Sequence, residues 1–287
     1  MRSKVLSIFL LAALLMTAAC TTQAIVPEAA TVVEEAPAEP TGVQVEPRTL
    51  TVLAAASLTE SFTEIGLAFE AQNEGVTVAF NFAGSQALAE QLAQGAEVDV
   101  FASASNKYMT AAIDAQRVNA NNAQPFVYNR LVVIFPKENP GGLVELKDLA
   151  KAGLKLVLAD ESVPVGQYGL DFLDKASADA AFGAAFKDDV LANVVSYEDN
   201  VKSVVTKVSL GEADAGICYL TDITADVAES VNSIDIPDEL NTIATYPIAA
   251  IADSKNPELA QAFVDYVLST DGQAVLAKYG FTTVTAK

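Results

Sequence analysis

Five short stretches place neutral hydrogen-bond donors where a strand gives way to a helix or ends. They are Ser57 in Ala54-Ala55-Ala56-Ser57-Leu58-Thr59-Glu60, Ser85 in Phe82-Ala83-Gly84-Ser85-Gln86, Val165 in Val163-Pro164-Val165-Gly166-Gln167, Val201 in Asp199-Asn200-Val201-Lys202, and Tyr219, which closes Gly216-Ile217-Cys218-Tyr219. Hydroxyls and first-turn amides are donors, and a site made of them suits an oxyanion. The set contains no evident acceptor. Phosphate near neutral pH still carries a proton that needs one, whereas a fully deprotonated tetrahedral dianion needs donors alone. About seven such donors at ~1.5–3 kcal/mol each give a gross ~10–20 kcal/mol. After an association cost of at least ~4 kcal/mol, a submicromolar constant near ~9 kcal/mol is reachable without Lys or Arg.

Each stretch also has a plainer reading. Ser57 with Glu60 three residues on has the form of a capping box, so Ser57 is expected to cap the following helix. Gly84-Ser85 and Pro164-Val165-Gly166 read alone as ordinary turns, with proline at a helix start. Asn200 is a natural cap for a helix carrying Val204, Val205 and Val208, and Tyr219 alone is a core tyrosine.

Composition removes other chemistries. The chain has 287 residues, 17 Lys and Arg, 37 Asp and Glu, no His, no Trp and two Cys. Without histidine there is no histidine triad and no histidine metal site. A formal charge of −20 repels polyphosphate, so nucleic acid is not an expected partner. A serine hydrolase built on Ser57 or Ser85 lacks a Ser-x-x-Lys or Gly-x-Ser-x-Gly setting. The pairs Asp160-Glu161 and Asp188-Asp189 lack the ligand spacing of a calcium loop and read as solvated. No catalytic residue and no direct metal ligand is expected.

The first 20 residues run from Arg2 and Lys4 through an apolar stretch, Val5 to Met16, to Thr17-Ala18-Ala19-Cys20. That is the layout of a secretory signal, too short to span a bilayer. Small residues directly before Cys20 are similar to a bacterial lipobox, which makes Cys20 the expected lipid attachment and membrane anchor. Residues 21–47 hold five Glu, no basic residue and no sustained period, and read as a disordered acidic tether. Residues 48–287 keep 32 acidic and 15 basic residues, so the acidity belongs to the folded part. With Cys20 lipidated, Cys218 has no partner and is expected as a small buried filler.

Apolar runs then alternate with helical patterns, which predicts an α/β architecture with largely parallel sheets. Strands are expected at residues 50–55, 76–82, 98–102, 130–135, 154–159, 213–219 and 246–252. Leu58, Phe62, Ile65 and Phe69 share one helical face, as do Ala87, Leu88, Gln91 and Leu92 less cleanly. A late helix is expected from Pro257 and a short one after Asp271.

In their order and spacing the donor stretches, with Val98-Asp99-Val100-Phe101-Ala102-Ser103-Ala104 and Tyr279-Gly280-Phe281, resemble the molybdate-binding proteins of bacterial ABC uptake systems, the ModA family, over nearly all of residues 49–287. The resemblance implies a periplasmic binding protein type II fold of two α/β lobes closing on a ligand cleft, with residues 48–128 and 246–287 as domain I and 129–245 as domain II. It implies molybdate or tungstate as ligand, no cofactor and no enzymatic activity. The anion would be held by hydroxyls and amides of Ser57 and Ser85, amides of Val165 and Val201, and the Tyr219 hydroxyl. It further implies an exported, lipid-anchored monomer delivering to a permease and ATPase complex. Sulfate, phosphate or another small solute is the alternative cargo. Val165 stands where the family often has Ala, and Leu220 follows the tyrosine where a small or basic residue is usual.

Overall fold

The computed structural model describes residues 47–284. The signal segment, Cys20 and nearly all of the tether lie outside the described residues. In chain order the elements are β1 (Arg48–Ala55), α1 (Thr59–Gln72), β2 (Val76–Ala83), α2 (Ser85–Ala93), β3 (Val100–Ala102), α3 (Asn106–Asp114), β4 (Gln124–Asn129) and β5 (Leu131–Pro136). There follow β6 (Leu156–Ala159), α4 (Pro164–Ala178), α5 (Phe186–Leu191), β7 (Val194–Glu198), α6 (Val201–Ser209) and β8 (Ala215–Tyr219). The chain closes with β9 (Val231–Asp235), β10 (Ala244–Ala250), α7 (Pro257–Leu268), α8 (Thr270–Lys278) and β11 (Thr282–Thr283).

Two sheets result, one ordered β11-β4-β10-β3-β1-β2 and the other β7-β6-β8-β5-β9. Strand membership changes at Arg130, between β4 and β5, and again between β9 and β10. The two lobes of the expected α/β fold each have a sheet of their own. The expectation of mostly parallel sheets needs correcting. β1 is parallel to β2 and β3, and β6 to β7 and β8, but β10 and β5 pair antiparallel with all their neighbours. The cause is topological: β10 and β5 are the first strands after each crossing, and a chain entering from the other sheet has no crossover helix to reverse it.

Side chains of β1 point alternately to two faces. Leu50, Val52 and Ala54 join the core beneath α1 and α7 with Phe62, Ile65 and Phe263, while Leu53 joins Leu88, Leu92, Met109 and Ala112 from α2 and α3. A sheet covered on both sides needs apolar residues at consecutive positions, which is why β1 reads as a continuous run. On α1, Phe62, Ile65 and Phe69 are all buried, as the helical spacing requires. Phe62 meets the rings of Phe126 and Phe263 at 5.7 and 6.1 Å, tying helices to sheet. Cys218 is wholly buried and free, the filler expected of it.

Four strands were not anticipated. β7 and β9 are edge strands of the second sheet, half exposed and without a long apolar run. β4 begins Gln-Pro, and β11 has two residues. Helices α3 and α5 were also unanticipated.

Candidate functional site

The small residues ending β1 let the chain tighten into a 3-10 turn, Ala56–Leu58, before α1 begins. Ser57 therefore sits inside that turn and caps nothing; the N-cap of α1 is Leu58, without a side-chain bond. The capping-box expectation for Ser57 and Glu60 is corrected. The Ser57 hydroxyl lies 2.8 Å from the hydroxyl of Tyr246, on β10, and Glu60 turns to Lys202. A buried phenol must find a partner, and Ser57 supplies it.

Ser85 is the first residue of α2, and its Oγ accepts the Ala104 N–H at 2.9 Å. Gly84 before it is required by a close approach: a Cβ there would lie 2.5 Å from the Asp199 carbonyl oxygen. Helix α4 starts at Pro164, so Val165 is its second residue and its amide lies outside the i to i−4 ladder. Gly166 brings that helix start against the end of β6, since a Cβ would stand 2.0 Å from the Asp160 carbonyl oxygen. Val201 opens α6, and Asn200 caps it as expected, its Oδ1 accepting the Ser203 N–H at 3.0 Å. Tyr219 ends β8.

All five residues line a single small cavity, whose remaining wall is Ala55, Ala56, Ala83, Gly84, Ala104, Val163 and Pro164. Its volume of about 10 Å³ is far below the ~300 Å³ of a drug-sized ligand's pocket, so it selects a small guest. No carboxylate, lysine or arginine lines it. Ser57 and Ser85 come from elements of the first sheet, and Val165, Val201 and Tyr219 from elements of the second.

Each serine hydroxyl has a partner behind it. The Asn129 amide donates to the Tyr246 oxygen at 3.4 Å and to Thr221 Oγ1 at 2.7 Å. Either hydroxyl of the Ser57–Tyr246 pair can donate to the other; with Tyr246 as the donor, the Ser57 proton is free for the cavity. Ser85 likewise already accepts a bond from Ala104. Burial pushes the Tyr246 and Tyr219 phenols well above their ordinary range, so both stay protonated. The Tyr219 hydroxyl is buried in the cavity wall with no partner at hydrogen-bond distance among the described residues, and the Tyr246 hydroxyl is near enough to act on its protonation. Its own N–H donates to Asp222 Oδ2 at 3.1 Å, which fixes the strand end.

The same geometry disposes of nucleophilic catalysis. Ser57 faces a phenol that burial keeps neutral, and Ser85 faces an N–H; neither is a base. Among the described residues no group of three or more His, Cys, Asp or Glu is placed to hold a metal ion, and no helix is long and apolar enough to cross a membrane. The sequence did not single out Tyr246, Asn129 or Thr221 as site residues. Their pairings span up to 189 positions, and no local motif encodes them.

A family model described as bacterial extracellular solute-binding protein matches residues 50–282. The molybdate-binding protein ModA of Mycobacterium tuberculosis is 36% identical over 234 residues, covering 82% of this chain and 84% of the relative. Two solved structures show the same fold: the periplasmic molybdate-binding protein of Azotobacter vinelandii (TM-score 0.71, 19% identity, 81% of this chain and 98% of that one) and the sulfate-binding protein SubI of M. tuberculosis (TM-score 0.74, 18% identity, 82% and 87%). The donor-lined cavity between two sheets and the match along nearly the whole folded region lead to one conclusion: the chain belongs to the bacterial extracellular solute-binding proteins and, among them, to the ModA family, which binds its solutes without transforming them.

Proposed function

We propose that this protein captures molybdate, and tungstate equally well, in the cavity between its two sheets. The carrying observation is the buried Tyr219 hydroxyl, without a partner at hydrogen-bond distance, in a cavity lined by two serine hydroxyls, first-turn amides and no carboxylate. Ser57, Ser85, Val165, Val201 and Tyr219 are the proposed contacts. Amide dipoles and hydroxyls act at contact distance, while the acidic surface is screened over about 8 Å, so an anion is held in a chain of net charge −20. The oxyanion is the ligand, and no cofactor is involved. Phosphate is disfavoured because its remaining proton meets no carboxylate in the lining. Sulfate is also a proton-free dianion, and the fold is shared with a sulfate-binding protein; kinship with relatives named for molybdate supports molybdate over it.

The lobes of this reading are residues 48–128 with 246–287, and 129–245. Cys20 carries a lipid that holds the protein outside the cell membrane, and the 21–47 tether gives it reach to a permease and ATPase complex, to which it delivers as a monomer. Metabolic labelling with a palmitate analogue, lost in Cys20→Ser, tests the anchor.

Isothermal titration with four anions tests the ligand. Molybdate and tungstate are expected to bind tightly, and sulfate and phosphate at least ~100-fold more weakly, or ~2.7 kcal/mol. Sulfate binding as tight as molybdate would overturn the assignment.

A further inference from the structure

Lys202, the second residue of α6, stands between two carboxylates from opposite sides of the cleft. Its Nζ lies 3.3 Å from Asp222 Oδ1, in the turn after β8, and 2.8 and 2.9 Å from the two oxygens of Glu60, on α1. Helix α6 and Asp222 belong with the second sheet, α1 with the first. We propose that Glu60 is the catch of an interlobe latch, with Lys202 held ready by Asp222, and that this latch sets how long the anion stays bound. The proposal rests on the functional reading above only in taking an oxyanion as the guest.

The asymmetry of the triad is what makes it a latch. Asp222 is wholly buried and its other oxygen accepts the Tyr219 N–H, so the Lys202–Asp222 pair is a fixed part of the second lobe. Glu60 is more than a third exposed, and separating the sheets breaks its contact with Lys202 while leaving the Asp222 pair in place. When it breaks, Lys202 still has Asp222, so opening does not strand a bare charge in a low-dielectric site. The latch is thus reversible. It also reaches three donors at once: Ser57 lies three residues before Glu60, Val201 adjoins Lys202, and Tyr219 is tied to Asp222. A second bridge flanks the cavity, where Gln86 Nε2 donates to the Asp199 carbonyl at 2.6 Å, but it carries no charge.

The sign of the effect separates a latch from simple electrostatics. Removing the Glu60 charge makes the neighbourhood less negative, which by itself favours an anion. A latch predicts the opposite. In Glu60→Gln, dissociation of molybdate, followed by tyrosine fluorescence or by exchange against tungstate, is expected to be about 5-fold faster with association little changed. Salt is expected to speed release from wild type more than from the variant. Glu64→Gln is the control: it removes the same charge from the same helix but breaks a pair with Lys278, on α8, within the first lobe, and release should match wild type. Lys202→Arg should keep slow release, and lose it again when combined with Glu60→Gln.

The anion panel on wild type comes first. If molybdate fails there, the functional reading falls, and the latch is measured with whichever anion binds. Small-angle scattering of the ligand-free variants gives a readout independent of any anion: Glu60→Gln should have a larger radius of gyration than wild type and Glu64→Gln. Unchanged release and unchanged radius in Glu60→Gln, with melting temperature near wild type, would overturn the latch.

Discussion

The two walls of the cavity use different chemistry for the same purpose. On the first-sheet side the donors are side-chain hydroxyls, Ser57 and Ser85, each with a hydrogen-bond partner behind it, Tyr246 and the Ala104 amide. On the second-sheet side two of the three donors are backbone amides at the starts of α4 and α6. A side-chain donor is deleted by one substitution. A main-chain donor is deleted only by proline or by moving the helix that carries it. The first wall is therefore sensitive to side-chain identity and the second to backbone placement.

The largest effect should come from moving the second wall. In Gly166→Ala the new methyl would have to clear the Asp160 and Ala159 carbonyl oxygens, 2.0 and 2.5 Å away, so the start of α4 must shift and take the Val165 amide with it. Titration is expected to show molybdate affinity lower by at least ~100-fold, with ~1–3 kcal/mol of stability lost in a denaturant melt. Wild-type affinity there would mean that the wall does not depend on that approach. Next come Ser57→Ala and Ser85→Ala, each expected to cost roughly 1–3 kcal/mol of affinity, and about 1–3 kcal/mol of stability as well because the buried Tyr246 hydroxyl or Ala104 N–H loses its partner. If neither changes affinity, the serines are structural and the contrast between the walls collapses. The smallest affinity effect belongs to Val201→Ala, within about twofold, because the amide survives; yet the buried side chain should cost ~1–2 kcal/mol of folding stability. A large loss of affinity in Val201→Ala would show that the side chain shapes the cavity.

The elements that hold these walls were legible where burial made them so. β1, β5 and β8 lie inside their sheets and needed unbroken apolar runs, and α1 declared its face through Leu58, Phe62, Ile65 and Phe69. The edge strands β7 and β9 did not, because half-exposed residues such as Tyr197 and Asn232 carry no hydrophobic period. The mixed strand directions were equally hidden: apolar periodicity says that a segment is a strand, not which way its neighbour runs.

At the site, the donor positions could be chosen from local chemistry, since glycine, proline, serine and asparagine mark helix starts by their own conformational preferences. Ser57 shows where that reasoning stops. Its spacing to Glu60 promised a cap, but the folded chain gives its hydroxyl to Tyr246 and the Glu60 carboxylate to Lys202. Local sequence determined the helix starts, the buried strands and the absence of histidine chemistry, because these depend on a residue and its immediate neighbours. The partner of each serine hydroxyl, the burial of the Tyr219 hydroxyl and the charge that spans the cleft were decided by tertiary structure alone, because partners as many as 189 positions apart are selected only by how the sheets pack.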